Sequence, residues 1–557
     1  MTGKMRSNVA INMKKNIFPI AILFVFSILL TVVNYFWINN NLSRIPPPWD
    51  TAFYIYMGLN DYDAIINGGV FQFAKTFIGQ APNLAPLFPA TAVPFFVLFG
   101  LGIDSAYLTN FVYLFILLLS VFLIAQRLSG KTAGFLSVFI VATFPAVIAF
   151  SRDFLFEFPL AALTAFSYWL FLESESFQKR REAVLFGIFS GLAVLTKTMG
   201  IVFFVMPFLY ALYVFISPGD SKTARKNVLL CILSSVLIAS IFYIPNFKEI
   251  FGYLFYYGFG QGSQNYNRGL RDMTSLPYWT LYLRSIAGVG ISSHYSLVFV
   301  VSFVAFLFSK SKRFSRGYLF LWLWFIFGYI LLSIPANKGG ERYALPIFAP
   351  LAILMAVHLM TISLRPLKYL LISIAVIAGI VNYTYETSSK NCDYDMYSVQ
   401  GYPLLIPDQI GCRIRLELMI PYNRDWALMP ILQYIDLANS QNRNPIRVLL
   451  SVDHHLLNIC SLKLYAKLGK LNGSIHSDFD IASIAGDPAG DDALRKSIDK
   501  SDFVITKTGF QGIAFSNKNN AAVTKLLGDR APLKSFPMSD GSSVSLYADD
   551  MQRNRGK

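Results

Sequence analysis

Apolar residues run in long blocks through the first two thirds of the chain and in short ones after that. Blocks close to the ~20 residues that cross a bilayer lie at 17–38, 105–126, 132–150, 159–172, 183–199, 200–217, 228–247, 295–309, 317–335, 344–362 and 368–385. They predict a polytopic α-helical membrane protein with about eleven transmembrane helices. After Tyr385 the pattern changes: charged residues, Asn, Ser and Gly become frequent, and no block is long enough to span. Short β-branched runs at Arg447–Val452, Phe503–Thr506 and Val544–Tyr547 alternate with helical spacing at Leu456–Leu468. That alternation predicts a small soluble α/β domain. The reading divides the chain into a transmembrane domain, 1–385, and a soluble outer domain, 386–557.

Residues 17–38 follow a basic tail (Lys4, Arg6, Lys14, Lys15). The run exceeds a signal-peptide core and no small-residue cleavage site follows it, so a retained anchor is expected. The stretch Pro82–Ile103 is apolar as well, but Pro82, Pro86, Pro89 and Pro94 crowd its first half, and each removes a backbone donor. Counting it as a crossing would invert everything downstream. Lys and Arg in short loops mark the cytoplasmic side, and they decide the matter. Without that crossing, the inner segments collect 18 basic residues and only Glu173, Glu175, Glu182 and Asp220. Residues 82–103 are therefore expected along the outer interface or as a re-entrant segment. The N-terminus is then cytoplasmic and the C-terminal domain lies outside.

This bookkeeping changes what the net charge of +16 means. Most of it belongs to the inner loops, so it reports topology and gives no reason to expect nucleic acid as a partner. With 54% hydrophobic and 14% charged residues, against ~25% charged in a typical soluble domain, an ordinary soluble enzyme is excluded. The cysteines, Cys231, Cys392, Cys412 and Cys460, lack the spacing of a structural zinc site. Cys392 and Cys412 share the outer region, where a disulfide and two free thiols are both open.

Candidate chemistry gathers in the outer loops. In Arg44-Ile-Pro-Pro-Pro-Trp49-Asp50 a carboxylate follows a stiff proline run and an indole close to the membrane surface. Such an Asp is expected to be held in place and partly desolvated, which suits general-base work; capping a helix that starts at Thr51 is the structural alternative. In Ser151–Pro159, Arg152, Asp153 and Glu157 sit among apolar residues at the mouth of a crossing, where ionisable groups are costly and point to function. An Arg152/Asp153 ion pair would leave Glu157 as the acid of interest. Asp61 and Asp63 have the D-x-D spacing of a divalent-cation site, a weak signal against a solvated loop or helix face. Lys197, at the outer end of a crossing, either snorkels or meets a lipid phosphate. Asn337–Tyr343 offers a second cation, Arg342, after two glycines that let backbone approach an anion. Arg268, Arg271 and Arg284 in the long loop read first as solvated charges, and Asp453-His454-His455 reads first as structural rather than as metal ligands.

The order, spacing and membrane side of these motifs resemble the GT-C superfamily of polytopic glycosyltransferases, in the branch of the protein O-mannosyltransferases and the lipid A aminoarabinose transferase. The resemblance covers roughly 16–385. It rests on Trp49-Asp50, Ala85-Pro86-Leu87-Phe88-Pro89, Gly130, Ser151-Arg152 with Glu157-Phe158-Pro159-Leu160, Gly191 to Lys197, and Arg342-Tyr343-Ala344-Leu345-Pro346. It implies a GT-C-type fold with juxtamembrane helices in the first outer loop. It also implies an inverting transfer of a sugar from a polyprenyl phosphate to a glycan, glycolipid or protein acceptor. Asp50 matches the family's catalytic carboxylate and Glu157 its second outer acid. Lys197 and Arg342 fall near the donor phosphate, with Tyr343, Arg152, Asp153 and Trp49 completing the substrate-binding set. Two positions depart from the pattern: Thr51 stands where an acid often follows the first Asp, and Glu157 where Asp is common. No cofactor is implied beyond a divalent cation, whose need the sequence leaves open. A lipid-linked sugar transporter, and a ligase or polymerase using a diphosphate-linked donor, are the alternative activities; ionisable residues at the outer ends of crossings favour surface chemistry over transport. A bacterial inner membrane is the expected location.

Overall fold

A computed structural model of the chain describes residues 2–42, 45–217, 219, 221–266, 269–270, 272–309, 315–388, 426–439, 443–484, 489–512 and 517–548. Arg44, Arg268, Arg271, Cys392 and Cys412 lie outside them. The described residues fall into two compact units. One lies within Met1–Phe36, Phe77–Phe88 and Leu108–Leu416, the other within Trp37–Thr76, Pro89–Tyr107 and Glu417–Lys557. The second unit thus includes most of the segment that follows the first long helix as well as the C-terminal region.

The first unit is helical. Among the described residues seven helices are long and apolar enough to cross a membrane: Ile17–Asn41, Ile103–Ser129, Thr198–Ile216, Lys222–Tyr243, Arg316–Ser333, Arg342–Thr361 and Arg365–Thr387. A pair bent by 109°, Leu276–Gly290 and Ser293–Leu307, would make an eighth. One predicted crossing, 132–150, is shorter than the apolar run that suggested it, and two others fall just short of 18 residues. Lys131–Ala142 stops at Thr143, before a second helix that starts on Pro145, and Glu157–Glu173 and Arg180–Thr196 have 17 residues each. The run 132–150 overstates helix length because hydropathy is blind to a proline or a backbone break inside it. Pro82–Ile103 forms no long helix, only Leu87–Ala90 and Val93–Phe99.

Small residues set the closest helix packing. Gly187 and Gly191, one turn apart on Arg180–Thr196, face Lys222–Tyr243, and a Cβ on Gly187 would lie 2.1 Å from the carbonyl oxygen of Cys231. A small-xxx-small stripe of this kind lets backbones approach where lipid removes the hydrophobic drive to associate. Ser190 donates to Ser235 at 3.2 Å across the same seam, and the Tyr243 hydroxyl donates to the Val194 carbonyl at 2.8 Å. The helix is thereby fixed at the end that delivers Lys197.

The second unit holds a five-stranded sheet: β1 (Ile446–Leu450), β2 (Phe479–Ser483), β3 (Phe503–Lys507), β4 (Lys534–Pro537) and β5 (Ser543–Ala548). Its order is β2-β1-β3-β5-β4, with β1 parallel to β2 and β3, and β5 antiparallel to β3 and β4. Alternate residues of β1 feed two cores. Val448 and Leu450 pack with Trp426, Ile431 and Leu462, whereas Leu449 packs with Leu494, Val504 and Leu527. Both faces are covered, as parallel strands require. Ile45, just ahead of the proline run, is buried in the first of these cores. The helix Trp49–Gly79, broken at Gly69 by a φ of 73° that glycine tolerates, begins immediately after that run.

Candidate active site

Four of the residues singled out in the sequence converge in the first unit. Glu157 opens the helix Glu157–Glu173, where the helix dipole favours an acid. Its carboxylate is 2% exposed, and Oε1 accepts from Lys197 Nζ at 2.5 Å and lies 3.4 Å from Arg342 Nε. The Lys197 ammonium also stands 4.3 Å over the ring centre of Tyr343, and the Arg342 guanidinium 5.2 Å from it.

Each partner is delivered by a break in helical structure. Lys197 is extended (φ −155°, ψ 128°) between Arg180–Thr196 and the 3₁₀ turn Thr198–Phe204. Gly200, three residues on, lets this break approach Leu160 so closely that a Cβ would lie 2.8 Å from its Cδ1. Arg342 and Tyr343 lie on the short helix Glu341–Ala344 behind Gly340, whose φ of 74° admits few side chains. A Cβ on Gly339 would lie 2.1 Å from the Tyr343 ring. The two glycines therefore serve the turn and the aromatic ring.

Charge and exposure define what this cluster can do. Two cations share one buried carboxylate, and the side chains of Lys197 and Arg342 keep 17% and 20% exposure. A buried acid that organises cations without burying them suits an incoming oxyanion.

Arg152 and Asp153 play another part. Arg152 is 1% exposed; Nε donates to Asn34 Oδ1 at 2.8 Å, Nη1 to the Glu386 carbonyl at 2.9 Å and Nη2 to Thr387 Oγ1 at 3.0 Å. Asp153 Oδ1 caps the Phe154 amide at 2.7 Å, and its carbonyl accepts from Asn110 at 2.6 Å. Phe88 of the proline-rich segment stacks on Phe154 at 4.1 Å. Arg152 and Asp153, expected among the substrate contacts, thus make hydrogen bonds that tie segments of the first unit together. Lys338, in the same segment as Arg342, is also buried, donating to the Ser333 carbonyl at 2.6 Å over the ring of Tyr278. Burial alone pushes its ammonium down to about 8.

Asp50 and Trp49 belong to the second unit. Asp50 is exposed and lies inside the first helical turn, so neither partial desolvation nor capping of a helix starting at Thr51 describes it. Trp49 does not stand open for substrate: its indole Nε1 donates to Asp453 Oδ1 at 2.8 Å, and its ring lies 6.0 Å from that of His455. His454 stacks on Trp426 at 4.8 Å. Burial, with the nearby Lys507 charge adding to it, pushes His454 down to about 2 and His455 to about 4. The histidines act as neutral packing groups.

Asp61 and Asp63, the cation candidates of the sequence, are not brought together. Two positions apart on a helix, their side chains point to different faces; Asp61 is fully buried, and Asp63 pairs with Lys467 at 2.6 Å. Burial would raise Asp63, but hydrogen bonds from Lys467 and Asn67 outweigh it and hold its carboxyl below the usual range. No group of three or more His, Cys, Asp or Glu residues suited to a metal ion occurs among the described residues. The Trp49–Asp453 and Asp63–Lys467 contacts, each spanning about 400 residues of sequence, had no signal in local spacing.

Comparison with known proteins adds an independent view. Residues 82–245 match the family model described as dolichyl-phosphate-mannose-protein mannosyltransferase. Among solved structures, the chain resembles ArnT from Cupriavidus metallidurans bound to undecaprenyl phosphate, at 14% identity and a TM-score of 0.56, over 95% of this chain and 98% of that one. The apo state of the same protein gives 14% identity and 0.56 over 94% and 97%. The Archaeoglobus fulgidus oligosaccharyltransferase in apo form gives 13% identity and 0.48 over 88% and 69%. No curated protein matches by sequence. The polytopic GT-C-type fold with a C-terminal sheet domain is therefore the fold of this chain.

Proposed function

We propose that the protein is an inverting glycosyltransferase that moves a sugar from a polyprenyl-phosphate donor to a hydroxyl-bearing acceptor at the outer membrane face. The observation that carries the reading is the convergence of Lys197, Arg342 and Tyr343 on the buried carboxylate of Glu157. A monophosphate leaving group gains charge as the anomeric carbon–oxygen bond breaks, and two partly open cations stabilise that charge more in the transition state than in the ground state. Glu157 holds the cations in register and stays ionised between them. Asp50, an exposed carboxylate, is assigned the proton of the acceptor hydroxyl as the oxygen attacks the anomeric carbon. The match of residues 82–245 to the mannosyltransferase family model, and a structural relative bound to undecaprenyl phosphate, support a lipid-phosphate donor.

The test follows release of polyprenyl phosphate from a radiolabelled polyprenyl-phosphate sugar, with a membrane extract as acceptor, by wild type and by Asp50→Asn protein of unchanged fold. Transfer by wild type that vanishes in the variant supports both the activity and the base. Equal transfer by both proteins removes Asp50 from the mechanism. Failure of wild type across a panel of monophosphate-linked sugars overturns the donor class.

A further inference from the structure

The sheet of the second unit has a feature its order makes visible. β1 lies between β2 and β3, and the chain leaves β1 toward β2 through helix Ile459–Leu471 and returns to β3 through Asp491–Asp499. The connections thus depart to opposite sides of β1. In open parallel sheets such a reversal opens a crevice beyond the carboxyl ends of the two inner strands, where ligands commonly bind. Here the segments at that edge are Asp453-His454-His455 after β1 and Gly509–Gly512 after β3. The group they receive comes from the chain itself.

That group is Trp49. Asp453 Oδ1 accepts the indole N–H at 2.8 Å, and the His455 ring flanks the indole. Asp453 is itself held rigidly. Its amide donates to Asn517 Oδ1 at 2.8 Å and its carbonyl accepts from Asn517 Nδ2 at 3.2 Å. Gly512 bridges it from the other strand end, so close that a Cβ would lie 2.3 Å from the Asp453 oxygen. His454 and His455 stack on one another at 3.9 Å, backed by Trp426. Two backbone bonds, one glycine and a stacked aromatic wall are thus spent on orienting one carboxylate, and that carboxylate orients one indole. The residue after Trp49 is Asp50. On the other side Pro46 and Pro47 are buried, and a proline run has little freedom in φ.

We infer that Asp453 is a positioning residue for the transfer reaction, clamping Trp49 so that Asp50 at the start of its helix holds a fixed attitude. The inference rests on Asp50 as the base. It gives the C-terminal domain a defined part in the reaction: its sheet edge fixes the segment that carries the acid. Asp453 touches no substrate in this account. It acts through a neutral donor, the indole N–H, so the acceptor oxygen matters and the charge does not.

The experiment uses the full chain in detergent or nanodiscs and compares Asp453→Ala, Asp453→Asn, Trp49→Phe and the double variant Trp49→Phe/Asp453→Ala. A misplacement of about 1 Å can cost about a hundredfold in rate, so Asp453→Ala is expected to lower kcat about ten- to a hundredfold with KM for the donor unchanged. Asp453→Asn keeps an oxygen for the indole and is expected to stay within about threefold of wild type. Trp49→Phe should match Asp453→Ala, and the double variant should be no worse than either single change. A second readout is independent of transfer: the indole ¹⁵N–H resonance lost in Trp49→Phe should move in Asp453→Ala and stay in place in Asp453→Asn. An Asp453→Asn protein as inactive as Asp50→Asn would make Asp453 a reacting group, and an Asp453→Ala protein with unchanged kcat would make the contact structural; either overturns the inference. If wild type transfers nothing, the transferase reading fails, and with it the role assigned to Asp453, while the indole resonance still reports whether the clamp exists.

Discussion

Arg152 and Arg342 are both arginines in segments that the sequence marked for substrate, and the structure gives them opposite environments. Arg152 is buried, and its fork is engaged by an amide oxygen, a carbonyl and a hydroxyl that join three helical segments. Arg342 keeps part of its side chain open and shares the buried Glu157 with Lys197. Lys338, only four positions from Arg342, falls in the first category, buried against Tyr278 and a helix-end carbonyl. A buried cation that donates to such acceptors is part of the frame, because moving it would strand them. A cation that shares a fixed acid with another cation, and keeps contact with the exterior, is placed where a ligand can reach it.

Six substitutions, one of them read by titration, test that contrast. The largest effect is expected for Lys197→Ala and Arg342→Ala, each lowering the rate of polyprenyl phosphate release about 10²- to 10³-fold, with the fold retained because Glu157 keeps one partner. Arg152→Ala should instead act on stability, by about 3 kcal/mol as buried acceptors lose their donors; thermal unfolding in detergent measures it, and KM of the surviving folded protein should not move. An Arg152→Ala protein with wild-type stability and a hundredfold rate loss would erase the distinction. Glu157→Gln removes the carboxylate that the two cations share, so polyprenyl phosphate should inhibit more tightly while turnover falls about tenfold, a change set by slower product release.

The remaining two effects are smaller. The buried Lys338 gives up its proton near pH 8, whereas the unfolded chain keeps its own to about 10.4. Unfolded protein then binds more protons between these values, so stability should rise with pH across that window. Lys338→Met should flatten that rise in melts recorded from pH 7.5 to 10. Gly339→Ala pushes a methyl group against the Tyr343 ring, and a rate loss of only about three- to tenfold is expected if Tyr343 merely supports the cations.

The sequence exposed some of this architecture and hid the rest for physical reasons. Positive loops and apolar runs marked a polytopic helical fold, and alternating runs marked β1, β3 and β5, whose buried residues are mostly Val, Leu, Ile and Phe. β2 and β4 escaped because edge strands bury little: Phe479–Ser483 buries only Ile481, and Lys534–Pro537 is four residues long and ends in proline. In the site, Glu157, Lys197, Arg342 and Tyr343 were legible because ionisable groups at the ends of apolar runs are expensive there. The same rule selected Arg152, and it could not tell a ligand cation from a structural one, since the difference lies in Asn34 and Thr387, more than a hundred positions away. The role of Trp49 was hidden in the same way: its partner Asp453 lies on a distant sheet edge.

The central claim is that the Glu157 cluster takes the lipid phosphate, and direct binding tests it. Affinity for a polyprenyl phosphate, with the matching polyprenol as control, should be measured on purified wild type, Lys197→Ala, Arg342→Ala and folded Arg152→Ala. The account predicts affinities weaker by about ten- to a hundredfold in the first two variants, equivalent to about 1.4–2.8 kcal/mol, no change in Arg152→Ala, and no phosphate preference left when Lys197 and Arg342 are both replaced. Equal preference for the phosphate in all four proteins would contradict it.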